Sequence, residues 1–377
     1  MPALEVRPVE GRRSFTDFLN VPRRVYAGDP NWVPQLDFER RTHLSSKNPY
    51  FRHARARYFV AYRGGVAVGR ISAQIDELAQ NGEAGTIGHF GLLEGTDDEV
   101  LATLLEAAET WLHQQGVHRV EGPYSLSIND EVGLFVDGWG GPPRLLMNYA
   151  PAAYAEALEA AGYEKAKDLL AYRVDVEARL PRAAEYLAQQ AARSGRVTER
   201  AMNPRHFRAE LDTVLDIFND AWSDNWGFVP MTADEVAYMA ANLKPLIRPE
   251  LVRVADVDGE PAAMLVAVPD LNEALRDLDG RLLPLGWARL LWRLKVRGPR
   301  GGRVLLMGVR KKYRGGFMAG ALTALLVLES HRAARQQGLD EMEMSWILED
   351  NMPIRRLIEM MGGEVYRRYR IYGKALA

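Results

Sequence analysis

Apolar and polar positions alternate with two different periods along this chain, and the order in which the periods change is repeated. Val100, Leu101, Leu104, Leu105, Ala108 and Leu112 recur every three or four residues, which places them on one stripe of an amphipathic helix. Met318, Leu322, Leu325 and Leu326 form a similar stripe inside an apolar run from Gly315 to Leu328. That run ends in Glu329, Ser330, His331 and Arg332 and is too short to span about 30 Å of hydrocarbon, so it predicts a buried helix. Both helices close on the same triplet, Gln114-Gln115-Gly116 and Gln336-Gln337-Gly338, and a strand-like run follows each.

Asn129 lies beyond the first of these strands and Asn351 beyond the second, separated by the same distance in sequence as the two triplets. Equal spacing in the same order reads as duplication. Each Asn is followed by a short helix ending in glycine, Tyr154 to Gly162 and Pro353 to Gly362, with an insertion in the first copy. Upstream, period-2 runs flank turn signals: Tyr58 to Tyr62, Gly64-Gly65, then Val66 to Ile75; and Leu251 to Ala255, Asp258-Gly259, then Ala262 to Val268. Helical regions precede both hairpins, Ser14 to Tyr26 in the first copy, Phe207 to Trp222 and Thr232 to Leu246 in the second. The pattern predicts a mixed α/β fold built twice, with residues 1–176 and 197–377 joined by a polar Ala/Arg/Gln-rich helix in 177–196.

Composition narrows the chemistry. With 377 residues, 47% hydrophobic and 26% charged, the chain has material for two cores and no sign of disorder. The 48 basic and 50 acidic residues give a net charge of −2, without the basic excess of a nucleic-acid binder. No cysteine is present, which removes disulfides, thiolate metal sites and a Cys nucleophile. The seven histidines have no metal-ligand spacing, so no metal is expected. The polar N-terminus lacks the apolar core of a secretory signal, and a cytoplasmic protein with no membrane partner is expected.

The second half contains a strand, Arg303 to Val309, then the basic glycine loop Arg310-Lys-Lys-Tyr-Arg314-Gly315-Gly316-Phe317-Met318-Ala319, then the long apolar helix. A helix N-terminus offers unpaired N–H groups and the positive end of the dipole, and glycines let a pyrophosphate approach the backbone. Read from residues alone, the glycines could equally cap the helix beside a solvated basic loop.

This context resembles the GNAT superfamily of acyl-CoA-dependent N-acyltransferases, in which the amides of such a loop hold the CoA pyrophosphate. Arg314-Gly315-Gly316-Phe317-Met318-Ala319 is similar to the family loop, with Phe317 where a second glycine is common. Asn351 is similar to the Asn that begins the family's next helix, and Gly362-Gly363 to the glycine that ends it. The resemblance implies two tandem GNAT-like domains, each a mostly antiparallel sheet flanked by helices. Acetyl-CoA or another acyl-CoA would be cosubstrate, held by Val309, Arg310, Arg314, Gly315, Gly316, Phe317, Met318, Ala319 and Asn351. In the first half, Leu92 to Asp98 has no basic glycine loop, and two acidic residues at the helix start would repel a pyrophosphate, so that domain reads as degenerate. Gly122 to Ser125, Asn129 to Gly133 and Asn225 to Met231 look like segments of a bacterial tandem-GNAT family that names a fold rather than a substrate.

Acyl transfer to an amine needs a neutral nucleophile, a stabilised oxyanion and a proton for the departing thiolate. The resemblance gives the oxyanion contact to the backbone of Val309. The strand from Arg303 to Val309 carries no carboxylate, so Glu343, on the next strand and on one face with Glu341 and Ser345, is the candidate base. The family's general-acid tyrosine would fall near Ile358, which cannot donate a proton; Tyr366, in the terminal segment, is the candidate substitute. For the acceptor, Asn219, Trp222, Asn225 and Trp226 combine amides and aromatics, and Glu131 in the inserted segment is added to them. The expected activity is N-acyl transfer, with acetyl-CoA the expected donor, to an amine of a small molecule or peptide, with a homo-oligomer left open. A non-catalytic acyl-CoA-binding or partner-binding protein and an aminoacyl-tRNA-dependent transferase are the alternatives.

Overall fold

The computed structural model describes residues 2–79 and 87–376, which fall into two units. Unit 1 comprises Met1–Leu169, Leu275–Leu282 and Arg367–Ala377; unit 2 comprises Leu170–Ala274 and Leu283–Tyr366. Along the chain come β1 (Leu4–Pro8), α1 (Gly11–Val25), α2 (Asp37–His43), β2 (Ala54–Arg63), β3 (Val66–Asp76), β4 (Ile87–Gly95), α3 (Asp98–Gln114), β5 (Arg119–Gly122), β6 (Leu134–Asp137), α4 (Ala153–Ala160) and β7 (Glu164–Asp175). They are followed by α5 (Arg182–Arg193), β8 (Val197–Ala201), α6 (Phe207–Trp222), α7 (Ala233–Leu243), β9 (Val252–Val257), β10 (Glu260–Pro269), α8 (Leu271–Leu275) and α9 (Gly286–Trp292). The last elements are β11 (Gly301–Val309), α10 (Gly316–Gln336), β12 (Glu341–Leu348), α11 (Met352–Met360) and β13 (Glu364–Ala375).

The two hairpins form where the turn residues ask for them. Gly64 and Gly65 have φ of 59° and 80°, and Asp258 and Gly259 have 53° and 83°, the positive values that a two-residue turn needs to match strand twist. In unit 1 the strands run β1-β2-β3-β4-β5 and then the Arg367–Ala375 part of β13; in unit 2 they run β8-β9-β10-β11-β12 and then β7. Each sheet has antiparallel hairpins and one parallel pair, β4 with β5 and β11 with β12. The fold is therefore the expected mixed α/β arrangement in tandem. The repeat boundary divides the chain at 176 and 197; packing divides it differently, because Leu170–Asp175 goes with unit 2 and Arg367–Ala375 with unit 1.

In unit 2 the pleat of β10 separates two cores. Ala263, Leu265 and Ala267 face α5 and α10, joining Ala184, Ala188, Leu322 and Leu326, while Met264 and Val266 face α6 and α7 with Ile217, Phe218 and Val236. The polar helix between the repeats is thus no free linker, since its alanine stripe is buried against α10. Thr232 opens α7 with a reciprocal cap, its hydroxyl accepting from Glu235 N at 3.3 Å and the Glu235 carboxylate accepting from Thr232 N at 2.9 Å.

Candidate active site

β11 and β12 are paired only from Gly301 with Glu341 to Val304 with Met344. Both strands continue, to Val309 and Leu348, and β11 changes from buried to half-buried at Leu305. On the other side of β11 the pairing with β10 shifts register between Val266 and Ala267, a bulge that bends the strand. A wedge between the carboxyl ends of two parallel strands results.

Glu343 stands at the root of this wedge, in register with Arg303, and both are almost fully buried. Tyr366 donates its phenol proton to Glu343 Oε2. Ser345 donates to Glu343 Oε1 at 2.5 Å and accepts from Arg303 Nε at 2.8 Å, while Arg303 Nε lies 3.6 Å from Glu343 Oε1. The carboxylate thus has a guanidinium, a hydroxyl and a phenol around it, which is what a buried charge requires. The Tyr366 ring is also covered by the Arg173 guanidinium, 5.7 Å from its centroid. Glu343 and Tyr366, chosen separately from sequence, are brought together. Arg303 and Ser345 complete the cluster without having been read as site residues; the signal for them in the sequence is a single arginine in an apolar strand and a serine two residues after Glu343. Ile358, the register position of the family's tyrosine, is buried against Gly363.

The loop between β11 and α10 lies at the open end of the wedge. Gly315 (φ 108°) and Gly316 (φ 61°) begin α10 without a side-chain cap, and a Cβ added at either would meet no atom within 4 Å. The first N–H groups of a 21-residue helix therefore open beside bare backbone, which fits a pyrophosphate. The basic side chains are partly committed to carboxylates: Arg310 pairs with Asp216, Lys311 with Asp224 at 2.6 Å and Lys312 with Glu260 at 2.5 Å. Arg314 donates to the Val309 carbonyl at 3.2 Å and stays 3.9 Å from Asp224, so it is the least neutralised of the four. Phe317 projects from the first turn, 56% exposed, while Met318 packs on the core and Ala319 accepts from the Thr323 hydroxyl at 2.8 Å. Asn351 precedes α11 after the end of β12, and its carbonyl accepts from Arg355 N at 3.1 Å.

On the other face of the sheet, the residues read as acceptor-binding have structural work. Asn219 grips the backbone of Met231 from both sides, donating to its carbonyl and accepting from its N–H, each at 3.1 Å. Trp222 stacks on Phe218 at 4.9 Å and covers Gly308, where a Cβ would lie 2.3 Å from its ring. Asn225 caps the end of α6 through N–H donation to the Trp222 carbonyl at 2.8 Å, and Trp226 is half-buried in the same turn.

Unit 1 has the corresponding strand pair, but its wedge is filled. β4 and β5 are registered from Ile87 with Arg119 to His89 with Glu121, after which Tyr124 N donates to Phe90 O at 2.7 Å. A Cβ on Gly91 would lie 1.6 Å from the Tyr124 carbonyl oxygen, so the segment after β5 occupies the gap. The helix start is closed too: Asp97 accepts from Val100 N at 3.2 Å and pairs with Arg63. Glu131 is buried here, accepting from Gln35 and lying 3.5 Å from Arg40; burial raises its carboxyl pKa while Arg40 pulls the other way.

A bacterial ceramide synthase of Caulobacter vibrioides (strain NA1000 / CB15N) is 43% identical over 376 residues, covering 99% of this chain and 98% of that protein. Protein YghO of Escherichia coli (strain K12) is 42% identical over 377 residues, covering 98% of this chain and 95% of its own length. A solved tandem GNAT protein from the clavulanic acid biosynthesis pathway shares the fold, with a TM-score of 0.58 at 12% identity over 100% of this chain and 99% of its own. No family model matches the chain. Likeness of this extent to two proteins, end to end, establishes that the chain belongs to the family of the bacterial ceramide synthase and YghO, and its repeated fold is that of the solved tandem GNAT protein.

Proposed function

We propose that the protein is an N-acyltransferase that moves a fatty acyl group from acyl-CoA to the amine of a long-chain amino alcohol, giving a ceramide-type amide. The observation that carries acyl transfer is the wedge between β11 and β12, with Glu343 and Tyr366 at its root and the uncapped start of α10 at its mouth. The long acyl chain and amino alcohol are read from the name of the ceramide synthase relative, and a long-chain donor is set beside the acetyl donor expected from sequence. Apolar Met307 and Met344 beside the wedge suit an acyl chain.

Gly315, Gly316 and the following N–H groups would hold the pyrophosphate, with Arg314, the least neutralised of the loop cations, beside it. Acyl-CoA supplies a thioester carbonyl and a thiolate leaving group. The chain's own part is to accept a proton from the attacking amine and return one to the sulfur. Tyr366 is placed to take the amine proton as its phenol proton passes to Glu343, and the reverse transfer releases the thiol. Arg303 and Ser345 position Glu343.

The test is calorimetric titration of acetyl-CoA and a long-chain acyl-CoA into the wild type and into Arg314→Glu/Gly315→Asp, followed by thiol release with long-chain amino alcohols. Binding lost in the variant and turnover dependent on the amine are expected. Binding without turnover across amines would identify a non-catalytic acyl-CoA-binding protein instead. Absence of wild-type binding would overturn the reading.

A further inference from the structure

Residues 283–297 form a surface that the protein itself does not cover. Leu283, Leu285, Trp287, Leu291, Trp292 and Val296 are each between 51% and 81% exposed. Neither α9 nor the helical turn Arg293–Arg297 that continues it has a single buried residue. A helix of ordinary globular type turns its apolar side inward. Here Arg293 points back, donating to the Ala274 carbonyl at 3.0 Å, while the two tryptophans and Leu291 point out. Contiguous exposed apolar surface on this scale marks an interaction site rather than a tolerated exposure.

The charges around it select the partner. From residue 280 to residue 298 the chain carries five Lys and Arg side chains and not one Asp or Glu, within a protein whose net charge is −2. Arg289, Lys295 and Arg297 are exposed within the helix itself. A second copy packed on this face about a two-fold axis would bring those cations towards their own copies. An anionic lipid surface satisfies both features: Trp and Leu enter the acyl boundary while Lys and Arg meet the headgroups. Among the described residues no helix is long and apolar enough to cross a membrane, so a membrane contact through this segment would run along the surface.

We propose that residues 283–297 dock the protein on anionic phospholipid bilayers through Trp287, Leu291 and Trp292, flanked by Arg289, Lys295 and Arg297. The experiment floats the full chain through a density gradient with phosphatidylcholine vesicles, with and without phosphatidylglycerol. Wild type is expected to float with the phosphatidylglycerol vesicles and to be released by high salt. Trp287→Ser/Leu291→Ser/Trp292→Ser should lower the floated fraction by about tenfold or more at an unchanged circular dichroism spectrum. Arg289→Glu/Lys295→Glu/Arg297→Glu provides a second arm if the first variant misfolds, and the same loss is expected. Wild type that sediments with both vesicle types, or variants that float like wild type, would overturn the proposal. Equal flotation with and without phosphatidylglycerol would overturn the anionic assignment. A dimer by light scattering that the serine variant dissociates, without flotation, would give the face to a second copy instead.

Discussion

Tyr366 gives its phenol proton to Glu343 Oε2 while Ser345 holds Oε1 from 2.5 Å, so the carboxylate is fixed on both oxygens. If this phenol carries the amine proton, Tyr366→Phe should lower kcat by about 100-fold with KM little changed. The ring stays beneath Arg173, and the lost hydrogen bond costs about 1 kcal/mol of stability. Steady-state thiol release and a urea melt measure the two effects, and an unchanged kcat removes the phenol from the proton path.

Arg303 and Glu343 form a buried pair, and breaking it from one side strands a charge. Arg303→Met should cost about 3–5 kcal/mol in urea unfolding. Adding Glu343→Leu should recover most of that stability while leaving acyl transfer abolished. No recovery in the double variant would show that packing, not charge, is what Arg303 contributes.

Two glycines, one inside β4 and one at the start of α10, should respond differently. Gly91→Ala forces a Cβ to 1.6 Å from a backbone oxygen, so it should cost about 3 kcal/mol or more and leave acyl-CoA affinity to whatever fraction remains folded. Gly316→Ala meets no atom within 4 Å and pays only for its positive φ, about 1 kcal/mol, yet should weaken acyl-CoA binding about tenfold by roughening the pyrophosphate cradle. Thermal melts and titration calorimetry distinguish them.

Acid should loosen unit 1. Burial lowers both His43 and His89 from 6.5 to about 4, with Arg40 adding to the effect at His43. Both imidazoles are then neutral in the fold and gain a proton on unfolding between pH 6.5 and about 4. The unfolded chain binds more protons in that window, so their stabilisation is complete above 6.5 and is lost as pH falls, by roughly 1.4 kcal/mol per pH unit for each histidine. Glu131 has the opposite sign: its raised carboxyl pKa favours the fold at low pH and offsets part of the loss. Urea melts at pH 5 and pH 7 should differ less in His89→Gln than in wild type; an equal difference would exclude His89 as the group.

Local chemistry made much of this legible. The turns at Gly64-Gly65 and Asp258-Gly259, the helix stops at Gly116 and Gly338, and the strand–loop–helix around Arg314 all rest on contacts within a few residues, which a sequence displays directly. The pairing of Glu343 with Tyr366 was only half visible, because each residue was chosen for its type and the contact depends on strand neighbours. Asn219 shows the converse: its amide invites a ligand in sequence, yet Met231, twelve residues on, takes both ends of it. The face at Trp287 was passed over because a spanning helix announces itself by length, whereas a surface-lying one shows only when its neighbours fail to cover it.

The strand that flanks β5 in unit 1 comes from residues 367–375, long after β1 to β5 have been made. Until Tyr372 reaches Gly122 and Ala375 reaches Arg119, β5 presents unpaired N–H and C=O groups on one side. Synthesis on the ribosome therefore leaves the first-made sheet with a waiting edge while all of unit 2 is translated, an edge open to mispairing until the last strand arrives.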